Sequence, residues 1–287
     1  MLRAYFARHK SASTWARSIL HEAAFALDLK VDTVHVPEQW APYDSLGDYV
    51  RATRPDLLIM TNAKPEWVDT LPEHRAFHLI RDPRDIVVSG YFSHLNSHPE
   101  VVGGVPWPEL VEHRRNLRTL DEPGGLLAEV EFSSMFLDPM ARWDYTRPGM
   151  LELRMEDAIV DPVKSWTAIL GHLDLLTPDG SGPEKARMAA ARWNVAARRG
   201  TPRWLAYPRH VLPRLPLHRL PGAYVTSACE RFSFSRLAKG RERGQEDVHS
   251  HYRRGVAGDW RNHLTAEHLA AFRARYGDLV ERLGYEW

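Results

Sequence analysis

Short apolar runs alternate along this chain with stretches of helical spacing. Ala4-Tyr5-Phe6-Ala7 is a compact apolar run and reads as a first strand. Trp15, Ile19, Ala23 and Leu27 follow at the spacing of one helix face. Val31 to Val36 is rich in β-branched residues and predicts a second strand, with Pro37-Glu38-Gln39-Trp40 as a loop after it. The stretch from there to Tyr49 reads as loop and short helix. Asp56 to Thr61 predicts a buried third strand and Pro65 to Thr70 a helical turn. Ala76 to Ile80 reads as a strand feeding a helix over Pro83 to Asn96. Residues 107 to 144 read as helical with a break at Pro123-Gly124-Gly125. Met150 to Met155 is a further strand, and Glu156 to Leu173 is mostly helix. A last helix is expected over Thr265 to Leu283, with Leu269, Phe272, Tyr276, Leu279 and Leu283 turned to the core. Strands alternating with helices imply crossover connections. The expectation is therefore a single α/β domain over residues 1–287, with a mostly parallel central sheet flanked by helices.

Two segments interrupt this pattern. Thr177 to Pro183 is rich in turn formers and reads as a loop within the domain. Arg198 to Gly222 mixes prolines with many arginines and cannot be regular helix. It is either an ordinary surface loop or a functional wall, and residues 174–222 together read as an insertion.

Composition narrows the class. A 44% apolar and 26% charged content is ordinary for a globular chain of 287 residues. A net charge of +1 supplies no global field for nucleic acid, so any positive potential is local. The single cysteine, Cys229, excludes an intrachain disulfide and reads as a small buried hydrophobe. No stretch approaches the apolar length of a membrane span, and the first strand leaves no room for a signal peptide. A bacterial, cytoplasmic protein is expected.

Candidate chemistry begins at Arg8-His9-Lys10-Ser11-Ala12-Ser13-Thr14-Trp15. A strand, a tight loop and a helix N-terminus make an anion cradle, because the first helical N–H groups lack partners and the macrodipole is positive there. Lys10 adds a full charge, and Ser11, Ser13 and Thr14 add hydroxyls. A triphosphate-wrapping P-loop wants glycines where His9 and Ala4 stand. A plain helix start capped by Ser13 or Thr14, with Lys10 solvated, is the blander alternative. A second stretch repeats the layout: the strand to Ile80 runs into Arg81, and Pro83 sits at a helix start. Arg81 and Ser89 are eight apart, about two turns, and can share a face. An Arg fork with a hydroxyl suits phosphate, although Arg81 could instead form a surface pair with Asp85. In a third stretch, Arg253-Arg254 runs into Gly255, and Gly258-Asp259-Trp260 follows. Glycine there permits close backbone approach; a solvated basic turn is the alternative. Three such places suggest a ligand with two separated anionic groups, and Lys10 and Arg81 both fall at carboxyl ends of strands.

These stretches resemble the cofactor-binding elements of the sulfotransferases that use 3′-phosphoadenosine 5′-phosphosulfate (PAPS). His9 to Trp15 resembles the family's Lys-Ser-Gly-Thr-Thr-Trp loop. Arg81 through Ser89 resembles its 3′-phosphate site, and Arg253-Arg254-Gly255 with Gly258-Asp259-Trp260 resembles its Arg-Lys-Gly…Gly-Asp-Trp element. The resemblance implies a P-loop-like α/β fold that moves a sulfuryl group to a hydroxyl or amine. It places Lys10, Ser11, Ala12, Ser13, Thr14 and Trp15 around the 5′ end and Arg81, Ser89, Arg253, Arg254 and Gly255 around the 3′-phosphate. Phe234, in Phe232-Ser233-Phe234, and Trp15 would flank the adenine, while Met155 stands where the family has Tyr. Lys10 would be catalytic. The base is open: the family's His in Lys-Thr-His is replaced in Met60-Thr61-Asn62, while the glycan-modifying branch uses a Glu after the second strand, and that resemblance implies Glu38 first and His35 second, with His94 as a further candidate. An acceptor of low pKa would need none. No metal is implied, and His94 and His98 read as a solvated pair. The acceptor, a small molecule or a sugar, is unidentified, the 174–222 insertion is a candidate lid over it, and oligomeric state stays open. A small-molecule kinase and a non-catalytic anion-binding module are the competing readings.

Overall fold

The computed structural model describes residues 1–178, 183–198 and 213–287. Its centre is a five-stranded, wholly parallel sheet. The strands are β1 (Leu2–Ala7), β2 (Val31–Val34), β3 (Leu57–Met60), β4 (His74–Ile80) and, after a two-residue hairpin pair β5 (Val101–Val102) and β6 (Val105–Pro106), β7 (Met150–Arg154). Their spatial order is β2-β3-β1-β4-β7, so β1 is central. Successive side chains of a strand point to opposite faces, and the core divides accordingly. Tyr5, Ala7, Leu57, Ile59, Phe77 and Leu79 enter one apolar cluster, while Ala4, Phe6, Leu58, Met60 and Ala76 enter another.

The first cluster is closed by α1 (Ser13–Leu27), α9 (Pro162–His172), α10 (Glu184–Arg198) and α11 (Gly222–Arg231). Between them in sequence lie α2 (Leu46–Thr53), α3 (Pro65–Val68), α4 (Pro83–Asn96), α5 (Pro108–Leu117), α6 (Glu122–Phe132), α7 (Ser134–Ala141) and α8 (Met155–Val160). A short α12 (Phe234–Leu237) and the pair α13 (Ala266–Tyr276) and α14 (Leu279–Arg282) complete the described helices. Among the described residues no helix is long and apolar enough to cross a membrane.

The α/β architecture matches the expectation, with local corrections. Pro123-Gly124-Gly125 does not break a helix: it lies in the first turn of α6, where Asp121 accepts a hydrogen bond from the Gly124 N–H. Proline there loses no intrahelical bond, so the interruption falls before it. The second strand stops at Val34, and a 3₁₀ turn forms at Pro37–Gln39, held by the Gln39 side chain on the His35 N–H. The terminal helix is two, parted at Gly277, whose φ of 58° is left-handed. Within the insertion, residues 179–182 and 199–212 lie outside the described residues, and with them part of the candidate lid. Leu220 is fully buried and bridges Leu176 in parallel.

A polar group sits inside the sheet. His78 on β4 is fully buried, accepts a hydrogen bond at Nε2 from Arg8 Nε (2.7 Å), and meets Glu152 of β7 at Nδ1 (2.6 Å). Trp143 donates to the same carboxylate, and the Tyr145 ring lies alongside. Burial and the Arg8 charge lower the His78 pKa to about 4 against the pull of Glu152. A base neutral when folded but protonated below about 6.5 when unfolded contributes stability that is whole above that pH and lost as pH falls toward 4. His78→Gln, which keeps an acceptor for Arg8, is expected to remove up to about 3 kcal/mol of this acid dependence. Urea unfolding at about pH 7 and about pH 4.5 checks it; equal acid losses in both proteins would refute the assignment.

Candidate active site

The loop after β1 turns sharply. Lys10 and Ala12 both hold left-handed backbone, with φ of 58° and 56°. A non-glycine residue there costs on the order of 1 kcal/mol, so the surrounding packing enforces the shape. Ala12 stands where a glycine would carry no steric penalty. It is the N-cap of α1, which has neither a side-chain cap bond nor an acidic residue in its first turn. The first N–H groups of α1 are therefore not met by a capping side chain.

Arg81 follows β4, the neighbour of β1 in the sheet. Its Nη1 donates to the Lys10 carbonyl at 3.0 Å, joining the two loops. Lys10, Arg81 and Ser89 all line one cavity, which Ala12, Ser13, Thr14, Trp15, Phe234, Arg253, Arg254 and Gly255 complete. Burial of the Lys10 ammonium, with Arg81 nearby, lowers its pKa to about 7. Asp85 is within 3.8 Å of Arg81, but the pair is buried rather than on the surface. Its carboxylate accepts instead from the Gly258 N–H (2.7 Å) and the Trp260 N–H (2.8 Å).

Those two bonds hold the C-terminal arginine loop against the start of α4. Asp259, between them, is itself buried and pairs with both Arg253 and Arg254. Burial pushes its pKa up, but bonds from His263 and Asn262 and the Arg253 charge more than offset this and hold it below the usual range. Arg253 also lies over the Phe92 ring, 4.4 Å from its centre. Gly255 has a φ of 69°, and a Cβ on it would come within 2.3 Å of the Phe234 ring. Glycine is thus what lets that ring approach the loop so closely. Trp15 meets Trp166 edge-on at 5.7 Å, which fixes one wall, and Met155 lines another.

Eleven of the twelve expected ligand-binding residues converge here, and Ser11 does not. It is fully buried, and the left-handed turns on either side swing it inward, where its N–H donates to the Arg8 carbonyl. The two expected bases do not reach the cavity either. Glu38 is exposed in the 3₁₀ turn, and His35 bonds Thr61 Oγ1 through Nδ1 at 2.5 Å; both lie beyond β2, an edge strand two places from β1. Sequence reading missed His9, His98, His251 and Tyr252, which all line the cavity. His251 Nε2 is 2.9 Å from Thr14 Oγ1, and burial lowers its pKa to about 4. His94 and His98 are not the solvated pair expected: His94 is fully buried and faces His9, Nε2 to Nε2, at 3.0 Å. The adjacency of His9 to Lys10 was the available signal, but its partner lies 85 residues away.

No protein-family model matches the chain, and no curated protein matches it in sequence. Solved structures similar to it include mouse sulfotransferase SULT7A1 complexed with PAP, at 15% identity, covering 97% of this chain and 84% of that one, with a TM-score of 0.48. Retinol dehydratase with androsterone and inactive cofactor PAP is similar at 15% identity, over 99% of this chain and 82% of that one, with a TM-score of 0.44. The same enzyme with retinol and PAP gives 16% identity, 99% and 83% coverage, and a TM-score of 0.45.

Because Asp259 is the shared partner of two arginines, Asp259→Asn is expected to cost up to about 3 kcal/mol of stability, the lower end for a broken buried pair since Arg254 is part exposed. Denaturant unfolding measures it; a change below about 0.5 kcal/mol would place the pair among ordinary surface interactions.

Proposed function

We propose that this chain is a sulfotransferase that uses PAPS and transfers to a hydroxyl or amine of an acceptor still to be identified. The observation that carries the reading is that Lys10 at the end of β1 and Arg81 at the end of β4 open on one cavity, which Arg253 and Arg254 close from the far end of the chain. Such a cavity suits a nucleotide with anionic groups on both sides of its ribose. The residues present fit it. Arg81 Nε and Arg254 Nε are buried without a hydrogen-bond partner among the described residues, and each is a donor suited to a phosphate oxygen. Phe234 and Trp15 offer aromatic faces to a base, where stacking contributes roughly 1–3 kcal/mol.

When bound, the donor supplies an activated sulfuryl group whose leaving group is a phosphate. The protein's part is positioning and charge stabilisation, as in phosphoryl transfer. Lys10, the N–H groups at the start of α1 and the Ser13 and Thr14 hydroxyls stabilise negative charge as it builds on the leaving oxygen. Arg81, Ser89, Arg253 and Arg254 hold the second phosphate and fix the nucleotide for in-line attack. Ser11, turned inward, is left out of this set. A kinase reading is weaker, because His9 and Ala4 occupy the places of the glycines that wrap a triphosphate.

Titration calorimetry with 3′,5′-diphosphoadenosine and with ATP tests the reading. The diphosphate is expected to bind at least about a hundredfold tighter than ATP, and Arg81→Ala to weaken it by about 10- to 100-fold through loss of charged hydrogen bonds. Lys10→Ala is expected to lower kcat with PAPS by about 10²–10³ while changing nucleotide affinity far less. Preference for ATP, or unchanged turnover in the Lys10 variant, would overturn the assignment.

A further inference from the structure

His9, on the loop after β1, His94, in the last turn of α4, and His98, just past its end, come together although 85 and 89 positions separate the first from the others. Their ring centres form a nearly equilateral triangle, with His9–His94 at 5.1 Å, His9–His98 at 5.4 Å and His94–His98 at 5.4 Å. Three imidazoles on a tetrahedral ion, with metal–nitrogen bonds of about 2.05 Å, have ring centres about 5.2 Å apart. One ligating atom from each histidine lies within 4.8 Å of those of the other two.

On His94 and His98 the opposite ring nitrogen is engaged, as metal-bound histidines require. His94 Nδ1 is 3.0 Å from both oxygens of Glu129, a carboxylate that leaves the proton on Nδ1 and the lone pair on Nε2. His98 Nδ1 donates to the Pro99 carbonyl at 2.9 Å, which again frees Nε2. Glu129 is itself fixed, accepting from His113 Nε2 (2.8 Å) and Ser133 Oγ (3.0 Å). Gly90, inside α4, makes room for it: a Cβ there would stand 2.4 Å from Glu129 Oε1. Arg114 holds the backbone at both positions, donating to the His94 and His98 carbonyls at 2.6 Å each. Phe136 stacks on His9 at 3.8 Å, and Trp107 lies edge-on to His98 at 5.1 Å.

We propose that His9, His94 and His98 form a binding site for a first-row divalent cation, with Zn²⁺ the best match to three imidazoles at tetrahedral spacing. His9 and His98 line the cavity that holds Lys10, so the fourth corner of the tetrahedron faces it. Three protein ligands with one corner open is the pattern of a reactive rather than a closed structural site. Lys10 opposes a dication there, and the Glu129 carboxylate behind His94 offsets it. A neighbouring group, His94 with His113 and Glu129, could also gather around an ion. It is less suited, because Glu129 already accepts three hydrogen bonds and neither it nor His113 lines the cavity.

The full chain, stripped with a chelator, is to be titrated with Zn²⁺ by calorimetry and with Co²⁺ by visible absorption. One ion per chain is expected, with the intense Co²⁺ bands of a tetrahedral site. His98→Ala is expected to weaken Zn²⁺ binding by at least about a hundredfold, whereas His113→Gln, which alters only an outer contact, should change it by about tenfold or less. Absence of stoichiometric Zn²⁺ binding would overturn the proposal, as would binding that survives His98→Ala or is abolished by His113→Gln. His98 is only half-buried, so its variant decides the matter even if a His94 variant fails to fold. None of these readouts depends on sulfuryl transfer.

Discussion

A single buried carboxylate ties the two ends of this protein together. Asp85 accepts N–H groups from Gly258 and Trp260, 173 and 175 residues away. Moving a carboxylate out of water is expensive unless its lone pairs are met, and burial does push the Asp85 pKa up. The neighbouring Arg81 charge, two backbone donors and a place in the first turn of α4, where negative charge is favoured, offset part of that penalty. The geometry that results is specific, since amides on a loop can be satisfied only if the loop adopts one path. That path carries Arg253, Arg254 and Gly255 to the cavity mouth. Arg84, stacked 3.8 Å from the Trp260 ring centre and bonded to Asp82, braces the same junction from the other side.

The second constraint lies at the sheet's centre. β1 and β4 are neighbours, so the loops that leave them start side by side, and the Arg81 guanidinium locks onto the Lys10 carbonyl. Lys10 and Ala12 are held left-handed, which presents the start of α1 without a competing cap. The bond to the Lys10 carbonyl fixes the loop through the protein's own contacts, and fixed donors are what electrostatic stabilisation depends on.

Much of this was legible in the sequence, and for identifiable reasons. The strands are short apolar runs, Lys10 and Arg81 stand just after two of them, and local pattern together with the family resemblance was enough to gather eleven residues around one cavity. What escaped is non-local or concerns direction. Pro123 resembled a stop but is a start, because Asp121 before it supplies the cap. Ser11 looked like a donor, yet the two left-handed residues beside it turn its side chain into the core. Glu38 stood at the right distance in sequence from β2, but the turn that bears it points to solvent. The polar chain from His9 through His94 to Glu129 draws on three separate segments, and no spacing rule links them.

The cavity's walls come from residue 9 at one extreme and residue 256 at the other. A ribosome delivers the first half of the cradle long before the second. While the chain is being made, the sheet can assemble around β1, and the Lys10 loop can take its shape, with no arginine pair yet to face it. Asp85 then has Arg81 beside it but not its two amide donors, which emerge later. On the proposed reading the arginine half of the cavity is thus the last to arrive, and loss of the chain from Gly258 onward would keep all five strands of the sheet while removing the two amides that meet Asp85.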